Sequence, residues 1–196
     1  MNLGKTRLVQ HLLLTCGFRR IHVQTTDVHA DYGTDSAENE YNEAALKRHL
    51  DVDDCDAIIL DDCLYDPEYV ESDTFLRLMT QKRTAVFVTM LFAMTLTETI
   101  RRLFDYVFIF HERGVFALTK LFTLYCSPKV YPTCEALAAA LRGVTEYPED
   151  EKFRHIHDGA CLVLTHTGTM WYRVSEQKCG NPNRNAVLCI QIKCDP

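Results

Sequence analysis

The segment Cys55-Asp56-Ala57-Ile58-Ile59-Leu60-Asp61-Asp62 constrains the fold of this chain more than any other. Four consecutive apolar residues that end in two carboxylates have the pattern of a strand buried on both faces in a parallel sheet. The acids then fall at the C-terminal edge of that sheet, where open α/β sheets bind ligands. Acids at a strand end are also common solvated features, and Asp51, Asp53, Asp54 and Asp56 lie close by. The alternative of an ordinary acidic strand end is therefore kept open at this point.

Gly4-Lys5-Thr6, at the start of the chain, gives those acids a partner. It is the second half of the phosphate-binding pattern G-x-x-x-x-G-K-[ST], without the first glycine and without a strand in front of it. In such a loop Lys5 supplies a cation to the β- and γ-phosphates and Thr6 a hydroxyl to Mg²⁺. The helix expected over residues 5–16 directs its N-terminal N–H groups at phosphate. Asp61 would then orient Mg²⁺ and its waters, and Asp62 would polarise the attacking water. Gly-Lys-Thr before a helix, with a hydrophobic strand ending Asp-Asp some 50–60 residues later, favours a P-loop NTPase.

The rest of the chain alternates in the same way. Strands are expected over 18–25, 84–89 and 105–110, and helices over 41–50, 68–81, 97–103, 115–125 and 133–142. Pro132 is placed at the first turn of the last helix and Gly143 at its stop. Strand and helix alternation predicts an α/β fold, a mostly parallel sheet with helices on both faces. Residues 161–164 and 170–174, joined through His166-Thr167-Gly168, read as an antiparallel hairpin, and residues 186–193 as a last edge strand. The 196 residues, 47% hydrophobic and 24% charged, suffice for a single compact domain over 1–196, with a nucleotide-binding core over about 1–115.

Composition narrows the partners. No apolar stretch reaches the ~18 residues needed to cross a bilayer, and no secretory leader opens the chain, so it reads as intracellular. Nine scattered cysteines without a C-x-x-C pair indicate neither a disulfide framework nor a zinc module; Cys179, Cys189 and Cys194 with His166 lack zinc-ligand spacing. A net charge of −6 excludes a protein that coats nucleic acid through a broad basic face. It permits a ring that grips a duplex with a few cations per subunit. The one compact basic spot, Lys82-Arg83 near Lys47 and Arg48, reads as a solvated turn.

Residues 88–94 (Val-Thr-Met-Leu-Phe-Ala-Met), then Thr99-Ile100-Arg101, then residues 105–112 (Asp-Tyr-Val-Phe-Ile-Phe-His-Glu), resemble the viral DNA-packaging ATPases of the FtsK–HerA branch of P-loop NTPases. Those are the enzymes of poxvirus-type and related large-DNA viruses. Cys161-Leu162-Val163-Leu164 followed by Trp171-Tyr172-Arg173 resembles the family's closing strand pair, so the likeness spans most of residues 4–174. It implies an ATPase that uses ATP and Mg²⁺ to push double-stranded DNA, without sequence preference, into a preformed capsid. The partners implied are other copies in a homo-oligomeric ring and a capsid or membrane-associated packaging vertex, in an infected cell's cytoplasmic virus factory or nucleus, or in the virion. Gly4, Lys5 and Thr6 are implied at the phosphates, Thr6 and Asp61 at Mg²⁺, Asp62 at the water, and Arg101 at a neighbouring subunit's γ-phosphate. Two features depart from the family. Leu91 stands where it has a sensing glutamine, and the strand before the phosphate loop, central in the family's sheet, is missing. Its loss predicts unpaired ladder edges on both sides of the gap, weak ATP binding, and, as an alternative role, a catalytically inactive subunit that acts in assembly.

Overall fold

A computed structural model describes residues 3–27, 29–34, 37–81, 83–90, 96–110, 112, 114–145, 160–165, 168–173 and 187–191. Its elements, in chain order, are α1 (Leu3–Cys16), β1 (Ile21–Thr25), β2 (Ala37–Glu38), α2 (Glu43–Val52), β3 (Ala57–Asp61), α3 (Pro67–Glu71), α4 (Asp73–Thr80), β4 (Ala85–Met90), α5 (Glu98–Arg101), β5 (Tyr106–Ile109), α6 (Val115–Tyr125), α7 (Cys134–Thr145), β6 (Ala160–Thr165), β7 (Thr169–Arg173) and β8 (Val187–Gln191). The strands form one sheet in the order β2-β1-β3-β4-β8-β5-β6-β7. The first four pair in parallel. From β4 onward every pairing is antiparallel, including the β6–β7 hairpin. The α/β class and the hairpin expected from the sequence are present, but the sheet is not mostly parallel: three of its seven strand pairings are parallel and four antiparallel, because the strands that follow β4 in the sheet order join it in antiparallel register.

Strand alternation divides the core in two. Ile58 and Leu60 of β3, with Val86 and Val88 of β4, pack on one face in a cluster that also holds Leu46 of α2, Phe75 of α4, Ile100 of α5, Leu118 of α6 and Leu137 of α7. Ala57, Ile59, Ala85 and Phe87 point the other way and meet Leu8, Val9, Leu12 and Leu13 of α1. Among the described residues α1 is therefore the helix that covers the second face. Its first turn, with Gly4, Lys5 and Thr6, lies at the end of the sheet where β3 delivers Asp61.

Local sequence sets the boundaries. Asn42 caps α2 by accepting from the Ala45 N–H, and the helix ends at Asp53, which takes a left-handed φ of 54°. The single helix expected over 68–81 is instead two. Asp66 caps α3 with Pro67 in its first turn, and the chain breaks at Ser72, whose hydroxyl accepts from the Phe75 N–H and starts α4. Nor does Gly143 stop α7, which continues to Thr145. A glycine inside a helix costs only about 1 kcal/mol, and burial of Leu137 and Leu141 on the same helix offsets that.

The largest correction concerns the end of the chain. Residues 186–193 were expected to form an edge strand, and the gap before Gly4 was expected to leave ladder edges unmet. Instead β8 lies inside the sheet and pairs antiparallel with both β4 and β5. Five residues of β4, from Val86 to Met90, and four of β5, from Tyr106 to Ile109, find their register partners in it. Because β8 runs antiparallel to both neighbours, β4 and β5 are parallel to each other, spaced by one strand.

Candidate functional site

Three strand ends build the site. Thr25, Asp61 and Thr89 are the register partners of one another across β1, β3 and β4. All three fall on the α1 face by strand alternation, and all are buried, at 3%, 3% and 0% exposure. The Asp61 carboxylate sits between the two hydroxyls. Thr25 Oγ1 donates to Oδ2 at 3.1 Å and Thr89 Oγ1 donates to Oδ1. Two neutral donors fix the carboxylate without neutralising it, and each oxygen keeps a further lone-pair direction for a cation.

Asp62 follows in a different geometry. Its φ of 50° is left-handed, which Asp tolerates better than most residues. The Asp62 N–H donates to the Thr89 carbonyl oxygen and to Oγ1, both at 3.1 Å. This turn carries the side chain out of the strand and toward α1. There it meets Lys5, whose Nζ lies 2.6 Å from both carboxylate oxygens. Lys5 is fully buried and the Asp62 side chain is 15% exposed. Burial pulls the Lys5 ammonium below the usual lysine range, and the Asp62 charge opposes that pull.

The structure therefore brings together Lys5, Asp61 and Asp62, with Gly4 and Thr6 on the same helical turn as Lys5. It does not bring in Arg101. That guanidinium donates from Nη1 to the Leu96 carbonyl oxygen, lies 5.9 Å from the Tyr125 ring centroid, and keeps Nε buried without a hydrogen-bond partner. Leu96, Ile100 and Tyr125 belong to the core on the face opposite α1. Leu91 lies outside the described residues, as do Lys82, His166, Cys179 and Cys194.

Acids nearby separate cleanly from this site. Asp51 pairs with Arg77, Asp53 with Arg83, Asp54 with His49 and Asp56 with Arg20. All four lie at the opposite, N-terminal end of β3, where Asp56 also accepts from the Arg19 and Arg20 N–H groups. His49, Asp54 and Cys55 gather closely enough to suggest metal ligands. Their atoms already bond to one another at 2.9–3.4 Å, and burial beside Asp54 pushes the Cys55 thiol up to about 12. The cluster lies at the end of α2, away from the C-terminal edge of the parallel strands where Asp61 and Asp62 fall.

Sequence reasoning gave no role to three members of the site, Thr25, Tyr32 and Thr89, the last of which donates to Asp61 and accepts from the Asp62 N–H. Thr25 ends a strand in an ordinary β-branched run, and only the sheet register sets it against Asp61. Tyr32 lies in an acidic connection and carries no motif. Its ring is buried with the α1 core, 6% exposed. Burial and the Asp61 charge hold the phenol well above its usual range.

No family model, no curated protein and no solved structure matches this chain. Among the described residues no helix is long and apolar enough to cross a membrane.

Proposed function

We propose that the Lys5–Asp61–Asp62 constellation is the phosphate and magnesium site of a P-loop-type ATPase, and that the protein is a subunit of a ring motor that packages double-stranded viral DNA. One observation carries the enzymatic part. A lysine and an aspartate 57 residues apart meet at 2.6 Å on the ligand-binding edge of a parallel sheet, at the first turn of a 14-residue helix. The packaging role rests on the sequence resemblance alone.

The residues fit the chemistry asked of them. Lys5 would leave Asp62 for the β- and γ-phosphate oxygens, since an anion at the α1 N-terminus offers it a second partner there. Thr6 and Asp61 would hold Mg²⁺, which neutralises phosphate charge; the lone pairs that Asp61 keeps after its bonds to Thr25 and Thr89 point to that role. Asp62, released from Lys5, becomes the acceptor that orients water and takes its proton.

Arg101 sits on the far face of the sheet and would serve a neighbouring copy. A finger of this kind contributes ~10³–10⁵ in rate, so Arg101→Ala and Asp62→Asn subunits should each be inactive alone. Mixed, they should recover part of the turnover, because one interface then joins an intact base to an intact arginine, and DNA should raise the rate by favouring the ring. Arg102→Ala, which breaks only the exposed pair with Glu98, should change the rate little. No recovery on mixing, with turnover per subunit constant on dilution, would place the arginine in its own chain's site.

A second reading has its own support. With Lys5 held by Asp62 and β8 in the middle of the sheet, the site is closed by internal partners, as in an inactive subunit retained for assembly. Such a subunit would join rings and leave their ATPase rate unchanged or lowered.

A further inference from the structure

We infer that Tyr32 is a phosphate-binding residue of this site, its hydroxyl donating to a phosphate oxygen of the bound nucleotide; the inference rests on the ATPase reading above.

The hydroxyl of Tyr32 is buried and makes no hydrogen bond. It stands close to the Thr6 hydroxyl and the Asp61 carboxylate, whose influence it feels, yet neither contact has the geometry of a full hydrogen bond. A buried hydroxyl left in that condition is expensive to keep, which is why nearly all buried polar groups are paired. Phe18, Phe87, Phe108 and Phe110 occupy the same core without such a group, so the packing itself does not call for a phenol. The polar groups beside the hydroxyl are those of Thr6 and Asp61, the two residues assigned to the magnesium and phosphate end of the nucleotide.

The position of Tyr32 is built. On one side the Asp31 carbonyl oxygen accepts from Nε2 of Gln10 on α1. On the other, the Thr34 hydroxyl donates to the Ile21 carbonyl oxygen of β1 at 3.0 Å. Between them Gly33 adopts a φ of 67° and its N–H donates to Asp31 Oδ1 at 2.8 Å, a local turn that holds the ring inward. The segment is thus tied to the helix that carries Lys5 and to the strand that carries Thr25. A phenol hydroxyl without a partner can donate to an incoming anionic oxygen as it stands. It needs no base to prepare it, and a hydrogen bond to a charged acceptor is stronger than one to a neutral group.

Tyr32→Phe tests this, with ATP·Mg²⁺ and pyrophosphate·Mg²⁺ titrated calorimetrically into wild type and variant, and the thermal midpoint of each protein measured without ligand. The expected result is a loss of about tenfold or more in affinity for both ligands, the usual size for a lost hydrogen bond to a charged group. The ligand-free midpoint should stay level or rise, since the variant no longer buries an unpaired hydroxyl. An equal loss for both ligands places the contact on phosphate; a loss for ATP alone would overturn that placement. Unchanged affinity beside a wild type that binds ATP would overturn the role of Tyr32 and leave the ATPase reading standing. A wild type that binds neither ligand would overturn both. A fall in the ligand-free midpoint with affinity intact would mark Tyr32 as a packing residue.

Discussion

Replacing Asp62 with Asn is expected to destabilise the protein by about 3–5 kcal/mol at neutral pH, whereas replacing Lys5 with Met is expected to leave stability within about 1 kcal/mol of wild type or to raise it. The two substitutions remove the same ion pair but leave different survivors. Without Asp62, the Lys5 ammonium remains fully buried under α1 with its 2.6 Å partner gone. Without Lys5, the survivor is Asp62, which keeps 15% of its side chain in contact with water and its N–H bonds to Thr89. Asn tolerates the left-handed φ of 50°, so backbone strain does not enter the comparison. The deficit of Asp62→Asn should shrink as pH rises. Burial already lowers the Lys5 pKa in the folded chain, so the unfolded state binds the extra proton over the window between the lowered value and the ordinary one, and stability climbs with pH there. Urea unfolding of both variants at neutral and alkaline pH checks this. Equal losses for the two variants, or a deficit that grows with pH, would show that the pair is not a buried charge pair.

Cys189→Pro in β8 is expected to cost about 3 kcal/mol or more, a large fraction of the roughly 5–15 kcal/mol that holds a domain folded. Cys189 is opposite Val88 on one side and Val107 on the other, and proline in a strand flanked on both sides removes a ladder bond and collides with a neighbour. An edge strand would accept the change far more readily. Hydrogen exchange gives an independent reading. Amides of 187–191 should all be protected to the level of β4, because N–H groups pointing either way meet a partner; an edge strand protects alternate residues only. A stable Cys189→Pro protein with alternating protection would return these residues to the edge position that their sequence suggests.

How far the chain announces its structure differs between elements for physical reasons. Buried parallel strands are written in their own residues, so Ala57–Asp61, Ala85–Met90 and Tyr106–Ile109 lie within a residue or two of the apolar runs that predict them. Motif chemistry singles out Lys5, Asp61 and Asp62, and the fold sets Lys5 against Asp62 with Asp61 beside it at the end of β3. What a strand pairs with is not encoded locally. Val187–Gln191 has the same alternation whether it closes an edge or fills a centre, and its position follows from β4 and β5 both needing a partner. The break at Ser72 was hidden because the apolar spacing of Val70, Phe75, Leu78 and Met79 continues across it. Thr25 and Tyr32 were hidden for a third reason. Each acquires its role from a residue elsewhere, Thr25 through register with Asp61 and Tyr32 through a turn anchored on α1.

The role of Lys5 at a phosphate site is tested by calorimetric titration of ATP·Mg²⁺ into the wild-type chain and into Lys5→Ala. The expected result is saturable binding at one site per chain, weak, on the order of 0.1–1 mM because the phosphate has to take Lys5 from Asp62, and no measurable binding once Lys5 is gone. Binding of equal strength to both proteins, or no binding to wild type, would contradict it.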